Sequence, residues 1–504
     1  MPYLLGIDSG TTNVKVAVFD SADGCLDCAS VECRDVRMIG DRAEIPMHHY
    51  WDAVVRCIRQ IGARGRVRLG EIRALSVSSQ GVTFVPVDDR GEELGQAIYL
   101  HDARAVKEAA RILESFGSST VYAQAGQPAV NAMFEAARLL WIREHEPERF
   151  ARIHKVLLVH DYLVFRLTGE FVTVPSIQSS SLLLNIGTWS WWSQMLDLIG
   201  LSEEQLPRIC PHGQAVGRLS AGAAAETSLP ASTIVVAGGI DQVLGMIGVR
   251  NIEKGVVSES TGSVLALHTL SEEPFRQEET GVFNFCAFGT RQYALVPFCS
   301  TAGATLRWFK ETFCSEEEAR ADAANEDVYD LLTGEAATVP SGSDGLVMLP
   351  YLSGSGSPRP DLRARGVFYG ITLAHGKRHF IRAVLESIAC LLRSNVDTLR
   401  NAGMDFREIR SFGGGSRSRL WNQIKADICG LPVRPSSVPE TGCLGAAVLA
   451  GVGCGAYATI EEGCDALVRL QDPLYPDDSL RPLHEDVYRR YESLRKAVEP
   501  LHAP

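Results

Sequence analysis

No stretch of this 504-residue chain stays apolar for the roughly 18 residues that a bilayer-spanning helix needs. Nor is there a dense block of lysine and arginine of the kind that neutralises a phosphodiester backbone. A spanning helix and nucleic-acid binding are therefore not expected, and the net charge of -12, from 61 acidic and 49 basic side chains, works further against a polyanionic partner. A paired cysteine framework is also missing. The 13 cysteines are odd in number and many fall inside apolar segments, as reduced core thiols do. Cys25, Cys28 and Cys33 carry half the spacing of a zinc site, but no second Cys-x-x-Cys follows, so they are not expected to hold a metal. The first residues lack the basic flank and cleavage sequence of a secretory leader, which makes the cytoplasm the expected compartment. Glycine and proline are scattered, with no low-complexity tract.

What is present is a chain longer than the roughly 250 to 300 residues at which one core stops growing, which predicts two α/β domains with a cleft between them. An apolar run ends at Ile7, Asp8-Ser9-Gly10-Thr11-Thr12 forms a hydroxyl-rich turn, and Val14, Val16 and Val18 alternate with Lys15 and Ala17 toward Asp20. That is the pattern of a β-hairpin. The same unit recurs after Gly255, where Val256-Val257 lead into Ser260-Thr261-Gly262-Ser263 and out through Val264 to Leu267. Between the two units, a buried-type strand over 233–237 runs through Gly238-Gly239-Ile240 to Asp241, with a helix predicted over 242–249. The boundary is placed there, giving domains 1–245 and 246–504, with the chain's last helix expected to pack back on the first. Helices are also predicted over 105–116, 132–144 and 377–399.

The two turns have the chemistry of phosphoryl transfer, which needs donors and a cation to hold a polyanion in line and a base to take a hydroxyl proton. Gly10, Thr11 and Thr12 supply small residues and exposed N–H groups, and Asp8 could orient a magnesium ion. Thr261 and Gly262 would face them from the second domain. Gly413-Gly414-Gly415, between a strand and a helix beginning near Ser418, would let a nucleoside approach the backbone, although a tight turn asks for the same residues. Asp241, with Gln242 beside it, sits where a carboxylate would enter the cleft, the alternative being a helix N-cap. Asp102 and Arg104 read either as a polyol-binding pair or as a solvated loop pair. His48-His49 and the Trp189, Trp191, Trp192 cluster have no partner set at recognisable spacing and are read as structural.

In this order the pieces resemble the FGGY carbohydrate kinases of the actin, Hsp70 and hexokinase superfamily. The resemblance runs through Gly6 to Thr12, Asp102-x-Arg104, Leu139 to Glu148, Asp161-Tyr162-Leu163, Leu167 to Glu170, Gly239 to Gln242, Ser260 to Ser263, Leu349 to Gly354, Ala364 to Gly370 and Gly413 to Ser416. It implies two RNase H-like domains closing over ATP and a sugar, with Asp241 as general base and Asp8 serving Mg2+. By the same resemblance Gly10, Thr11, Thr12, Thr261 and Gly262 contact phosphates, while Gly303, Gly414, Gly415 and Ser418 hold the nucleotide. Gln80, Asp102, Arg104, Asp241 and Gln242 would face the substrate.

The substrate side departs from familiar branches. Gly81-Val82 stand where glycerol kinases carry Arg-Glu, and Ser79-Gln80 where the commonest D-xylulose kinases carry Met-His. The Ser-x-Gln-Gly pattern and the run Glu440 to Ala447 look closer to L-xylulose and related polyol kinases. At Val174-Pro175-Ser176 an Asp common among relatives is absent, so either a polar contact is lost or the segment only shapes the cleft. A small ketose of the xylulose type, D or L, is the leading expectation. A polyol such as erythritol or glycerol is the alternative, and a non-catalytic sugar or nucleotide sensor the alternative of a different class. An Hsp70-like ATPase would need a C-terminal peptide-binding region that is not seen. A homodimer is an expectation that no residue pattern carries.

Overall fold

The computed structural model describes residues 3–20, 22–33 and 35–502. Its first large sheet begins as an antiparallel meander of β1 (Tyr3–Ser9), β2 (Asn13–Asp20) and β3 (Gly24–Glu32). β4 (Ile72–Ser79) lies parallel to β1, β5 (Ala215–Arg218) forms the antiparallel edge, and β6 (Ile234–Ile240) lies parallel to β4 between them, in the order β5-β6-β4-β1-β2-β3. The second sheet repeats the plan. β7 (Val256–Thr261), β8 (Leu265–Ser271), β9 (Val282–Cys286), β10 (Tyr293–Cys299), β11 (Glu408–Phe412) and β12 (Val433–Pro435) are ordered β9-β10-β8-β7-β11-β12, with β11 and β12 parallel to β7. Three antiparallel strands followed by two parallel ones therefore occur twice, as the recurring hairpin predicts. Within the first half, a five-stranded sheet built from 37–39, 42–45, 84–87, 97–98 and 155–158 adds a further layer.

Central strands of a sheet covered on both faces are apolar throughout, and β1 accordingly buries Leu4, Leu5 and Ile7. The helices that position the site are α1 (Asp241–Gly248), α2 (Gly303–Phe313), α3 (Val328–Ala337), α4 (Lys377–Asn401), α5 (Arg419–Cys429), α6 (Thr441–Gly453) and α7 (Arg481–Val498). α6 is short-sided, and its small residues let it wedge between β1 and α1 at backbone contact. A Cβ on Gly6 would stand 1.8 Å from the Cys443 carbonyl oxygen, and one on Gly445 would stand 2.0 Å from that of Leu244.

This corrects the expectation for the chain's end. The segment that returns to the first domain is α6 with the helix Ile460–Leu467, whose Leu444, Ala447, Val448, Cys464 and Leu467 join the first domain's core. The last helix, α7, packs instead on α4, α5 and the strand Val347–Leu349, with Val487, Tyr491 and Leu494 in the second core. The cysteines are all free, and only Cys25 and Cys28 lie outside the buried set.

Candidate active site

The parallel register sets Ser78 of β4 beside Asp8 of β1. Ser78 Oγ donates to Asp8 Oδ1 at 2.7 Å. Burial holds the Asp8 carboxyl above its ordinary range, with Ser78 and the neighbouring Lys15 acting against that shift. Just beyond, Gly10 N donates to Asn13 O at 3.0 Å to close the turn, and Tyr99 OH donates to Thr11 O at 3.2 Å. Thr11 is half-buried and Thr12 exposed.

Asp241 is the first residue of α1, and the residue in the N-cap position is Ile240. Its Oδ1 accepts from the Gln242 backbone N–H at 2.8 Å. Burial, and then the negative charge of Asp8, push the Asp241 carboxyl up to about 7. The strand leading to it is irregular: the pairing of β6 with β4 slips between Val236 and Gly239. A bulge leaves ladder N–H groups without strand partners, and side chains take them. Gly238 N donates to His160 Nε2 at 3.3 Å and Ile240 N donates to Ser176 Oγ at 3.2 Å. His160 is held by Asp161 at 3.0 Å and Ser176 by His212 at 2.7 Å. Burial holds His212 down to about 3, so its ring is neutral. The segment around Ser176 thus supplies a polar contact under the base strand, which its departure from the common pattern did not suggest.

In the second domain a cavity of about 320 Å3 brings together Thr261, Gly262, Gly303, Gly414, Gly415 and Ser418. The glycines are required by contact. A Cβ on Gly303 would lie 2.2 Å from Gly262 O, and one on Gly415 would lie 2.7 Å from Thr261 Cγ2. Two of these side chains are also engaged within the protein. Thr261 is buried and its hydroxyl donates inward to Glu259 Oε2 at 2.5 Å, leaving backbone N–H groups as that turn's donors. Ser418 Oγ accepts from Trp421 N at 3.2 Å as the N-cap of α5. Sequence reasoning missed the far wall, where Asp327, Tyr329, Asp330 and Thr333 come from the start of α3, and Arg307 of α2 donates to Ser263 Oγ at 2.8 Å. Nothing in an ordinary amphipathic helix marks such residues.

The expected substrate residues divide. Gln80 Nε2 donates to Tyr50 OH at 2.7 Å, while its buried Oε1 has no partner among the described residues. Asp102 and Arg104 are buried, not a solvated loop pair. Asp102 takes Ala43 N at 2.7 Å and Arg104 Nη2 at 2.8 Å, so its carboxylate is committed within the protein and not free for a hydroxyl. Arg104 also reaches Glu44 at 2.5 Å, and its buried Nη1 has no partner among the described residues. Gln242 Oε1 accepts from His268 Nε2 of β8 at 2.6 Å, a bond between the two domains. Between these groups, Gly81 could not carry a Cβ, which would lie 2.4 Å from Ser180 Oγ, and Val82 is held at φ 70°, an outlier for a β-branched residue.

Among the described residues no group of three or more His, Cys, Asp or Glu side chains could hold a metal ion, and no helix is long and apolar enough to cross a membrane. The arrangement is a two-domain phosphotransferase cleft, with a carboxylate pair on one side and a glycine-walled cavity on the other. Residues 3–248 match the N-terminal domain and residues 257–454 the C-terminal domain of the FGGY family of carbohydrate kinases. The chain belongs to that family and is an ATP-dependent carbohydrate kinase. It is similar to the xylulose kinase of Bacillus subtilis (strain 168), 30% identical over 509 residues that cover 99% of each chain. It is also similar to the autoinducer-2 kinase of Klebsiella pneumoniae subsp. pneumoniae, 28% identical over 508 residues, 98% of this chain and 94% of that one. The crystal structure of xylulose kinase from Rhodospirillum rubrum superposes with a TM-score of 0.86 at 26% identity, covering 99% of both chains.

Proposed function

We propose that this kinase transfers the γ-phosphoryl group of ATP to a hydroxyl of a xylulose-type pentulose, with Asp241 as general base. The carrying observation is the Asp241 carboxyl itself, half-buried at the head of α1, coupled to Asp8 and raised to about 7. A base works best with a proton affinity near the operating pH. α1 also abuts the strands that carry the nucleotide cavity, since a Cβ on its Gly245 would meet Phe412 Cε2 at 3.2 Å, one residue before the glycine turn. On this reading ATP in that cavity presents its phosphates to Asp241.

Asp8 fits Mg2+ held through phosphate and water. Its Oδ1 is taken by Ser78 and its neighbour Asp241 repels it. Magnesium binds through one or two carboxylates plus phosphate oxygens and does not need an all-protein cage. When bound it neutralises charge on the transferring group. Gly10 to Thr12 and the backbone around Gly262 hold the polyanion, and Asp241 accepts the hydroxyl proton as the bond to phosphorus forms.

The xylulose reading draws on the resemblance at Gln80 and Gly81 and on relatives described as xylulose kinases. It is tested by coupled ADP release with Mg-ATP over D- and L-xylulose, other pentuloses, hexuloses, erythritol, glycerol and autoinducer-2. The expected result is fastest release with a xylulose. Faster release with a polyol or autoinducer-2 would replace that assignment, and release from none of them would favour a sensor.

A further inference from the structure

We infer that His268, on the second domain, is a positioning residue for the reaction: through Gln242 it fixes the orientation of the base on the first. The proposal rests on reading Asp241 as that base. His268 is fully buried on β8 and faces Phe412, with ring centroids 5.7 Å apart. Its Nε2 lies 2.6 Å from Gln242 Oε1. An amide oxygen can only accept, so the imidazole proton sits on Nε2. Among the described residues the other nitrogen, Nδ1, is buried with no hydrogen bond of good geometry, although the Ser258 backbone beside the ring acts against the fall of its pKa.

The consequence is carried by the amide. Gln242 N donates to Asp241 Oδ1 at 2.8 Å, and with the amide oxygen committed to His268 the group the side chain has left to offer a carboxylate is its NH2, a donor. Turned the other way, the amide would set an oxygen against a carboxylate that already feels Asp8. Burial holds the His268 ring down to about 4, so it stays a neutral, one-proton donor under assay conditions. Gln242 is thereby reassigned from direct sugar contact to a link between the domains. The bond ties the head of α1 to the second sheet, so a group of the nucleotide domain sets the base.

Two measurements test this. In [15N]-histidine NMR of the full chain, the resonance lost in His268→Leu should be a neutral imidazole protonated at Nε2; a proton on Nδ1 or an imidazolium would overturn the proposal. In kinetics with Mg-ATP and the xylulose enantiomer that is turned over, His268→Leu should lower kcat about tenfold, the scale of one hydrogen bond to a charged group, with KM for ATP unchanged. His268→Gln, which keeps a donor, should recover most of that loss, and His268→Leu should cost nothing further in a Gln242→Leu background. Additive losses in the double variant, or wild-type kcat in His268→Leu, would overturn it. Turnover by Asp241→Asn at the wild-type rate would instead remove the base reading beneath it, while leaving the histidine tautomer as measured.

Discussion

Lys425 Nζ lies 2.7 Å from Glu259 Oε1, and both side chains are wholly out of solvent. The same carboxylate takes the hydroxyls of Thr261 and Ser411, so the pair lies directly beneath the Thr261-Gly262 turn and orients it. Removing one partner of a buried pair strands the other charge and costs about 3 to 5 kcal/mol. Lys425→Met should therefore lower stability by about that amount in urea unfolding. Glu259→Gln combined with Lys425→Met should recover much of it, since no charge is then left alone. In both, KM for ATP should rise, because the group that holds the Thr261 hydroxyl loses its ion-pair partner in one variant and its charge in the other; an unchanged KM would show that the turn holds its shape without the pair.

The cavity glycines separate packing from binding. Gly303→Ala would force a Cβ to 2.2 Å from Gly262 O, backbone against backbone, whereas the nearest atom to a Cβ on Gly414 is Thr261 O at 4.0 Å. Thermal unfolding should show Gly303→Ala clearly destabilised and Gly414→Ala close to wild type. ATP binding by calorimetry should weaken in both, in Gly414→Ala because the new methyl occupies nucleotide space. Normal ATP affinity in Gly414→Ala would move the nucleotide away from that wall.

Arg138 is the node of the substrate-side loops. It is fully buried and donates to the carbonyls of Ala132, Val82, Leu100 and Asp102 at 2.8 to 3.2 Å. Burial pulls its guanidinium down to about 10. Arg138→Met would leave those carbonyls unsatisfied at about 1 to 3 kcal/mol each, enough to loosen the strained turn at Val82. The expected phenotype is a marked fall in Tm and a raised KM for sugar, with ATP binding nearly intact, measurable by calorimetry on the same preparation.

Much of this was legible in the chain. The alternation through Val14, Val16 and Val18 and its echo after Gly255 specify the two hairpins, because strand period and turn chemistry are local properties. Asp8, Asp241 and the two hydroxyl-glycine turns stand at strand ends for the same reason, and their roles are those proposed above. What escaped was set by packing between distant segments. Asp102 and Arg104 read as a polyol-binding pair or a solvated loop pair, since nothing nearby in sequence announces Ala43 and Glu44 as their partners. His268 alternates on β8 like any core residue, and its role appears only when the sheet of one domain meets Gln242 of the other. Thr261 looked like a phosphate donor because the turn was visible, whereas Glu259 two residues earlier read as an ordinary strand position.

The Asp241 carboxyl links rate and stability with opposite signs. Its proton affinity rises from an ordinary 3.8 to about 7 in the folded chain, by burial first and Asp8 second. The neutral form is the one the fold favours, so that stabilisation is complete below the unfolded value and is lost as pH rises through about 7. Activity runs the other way, because only the carboxylate can accept a proton. The acidic limb of kcat/KM for the free enzyme should therefore fall near neutrality, well above an ordinary aspartate. Asp241→Asn should abolish turnover, keep ATP binding, and raise Tm relative to wild type more at about pH 8 than at about pH 5. The unfolding series is best run with EDTA and without nucleotide, so that only the protein's own charges contribute. An equal Tm difference at both pH values would mean that Asp241 is solvated like a surface carboxylate, and its fitness as a base at neutral pH would then lose its physical cause.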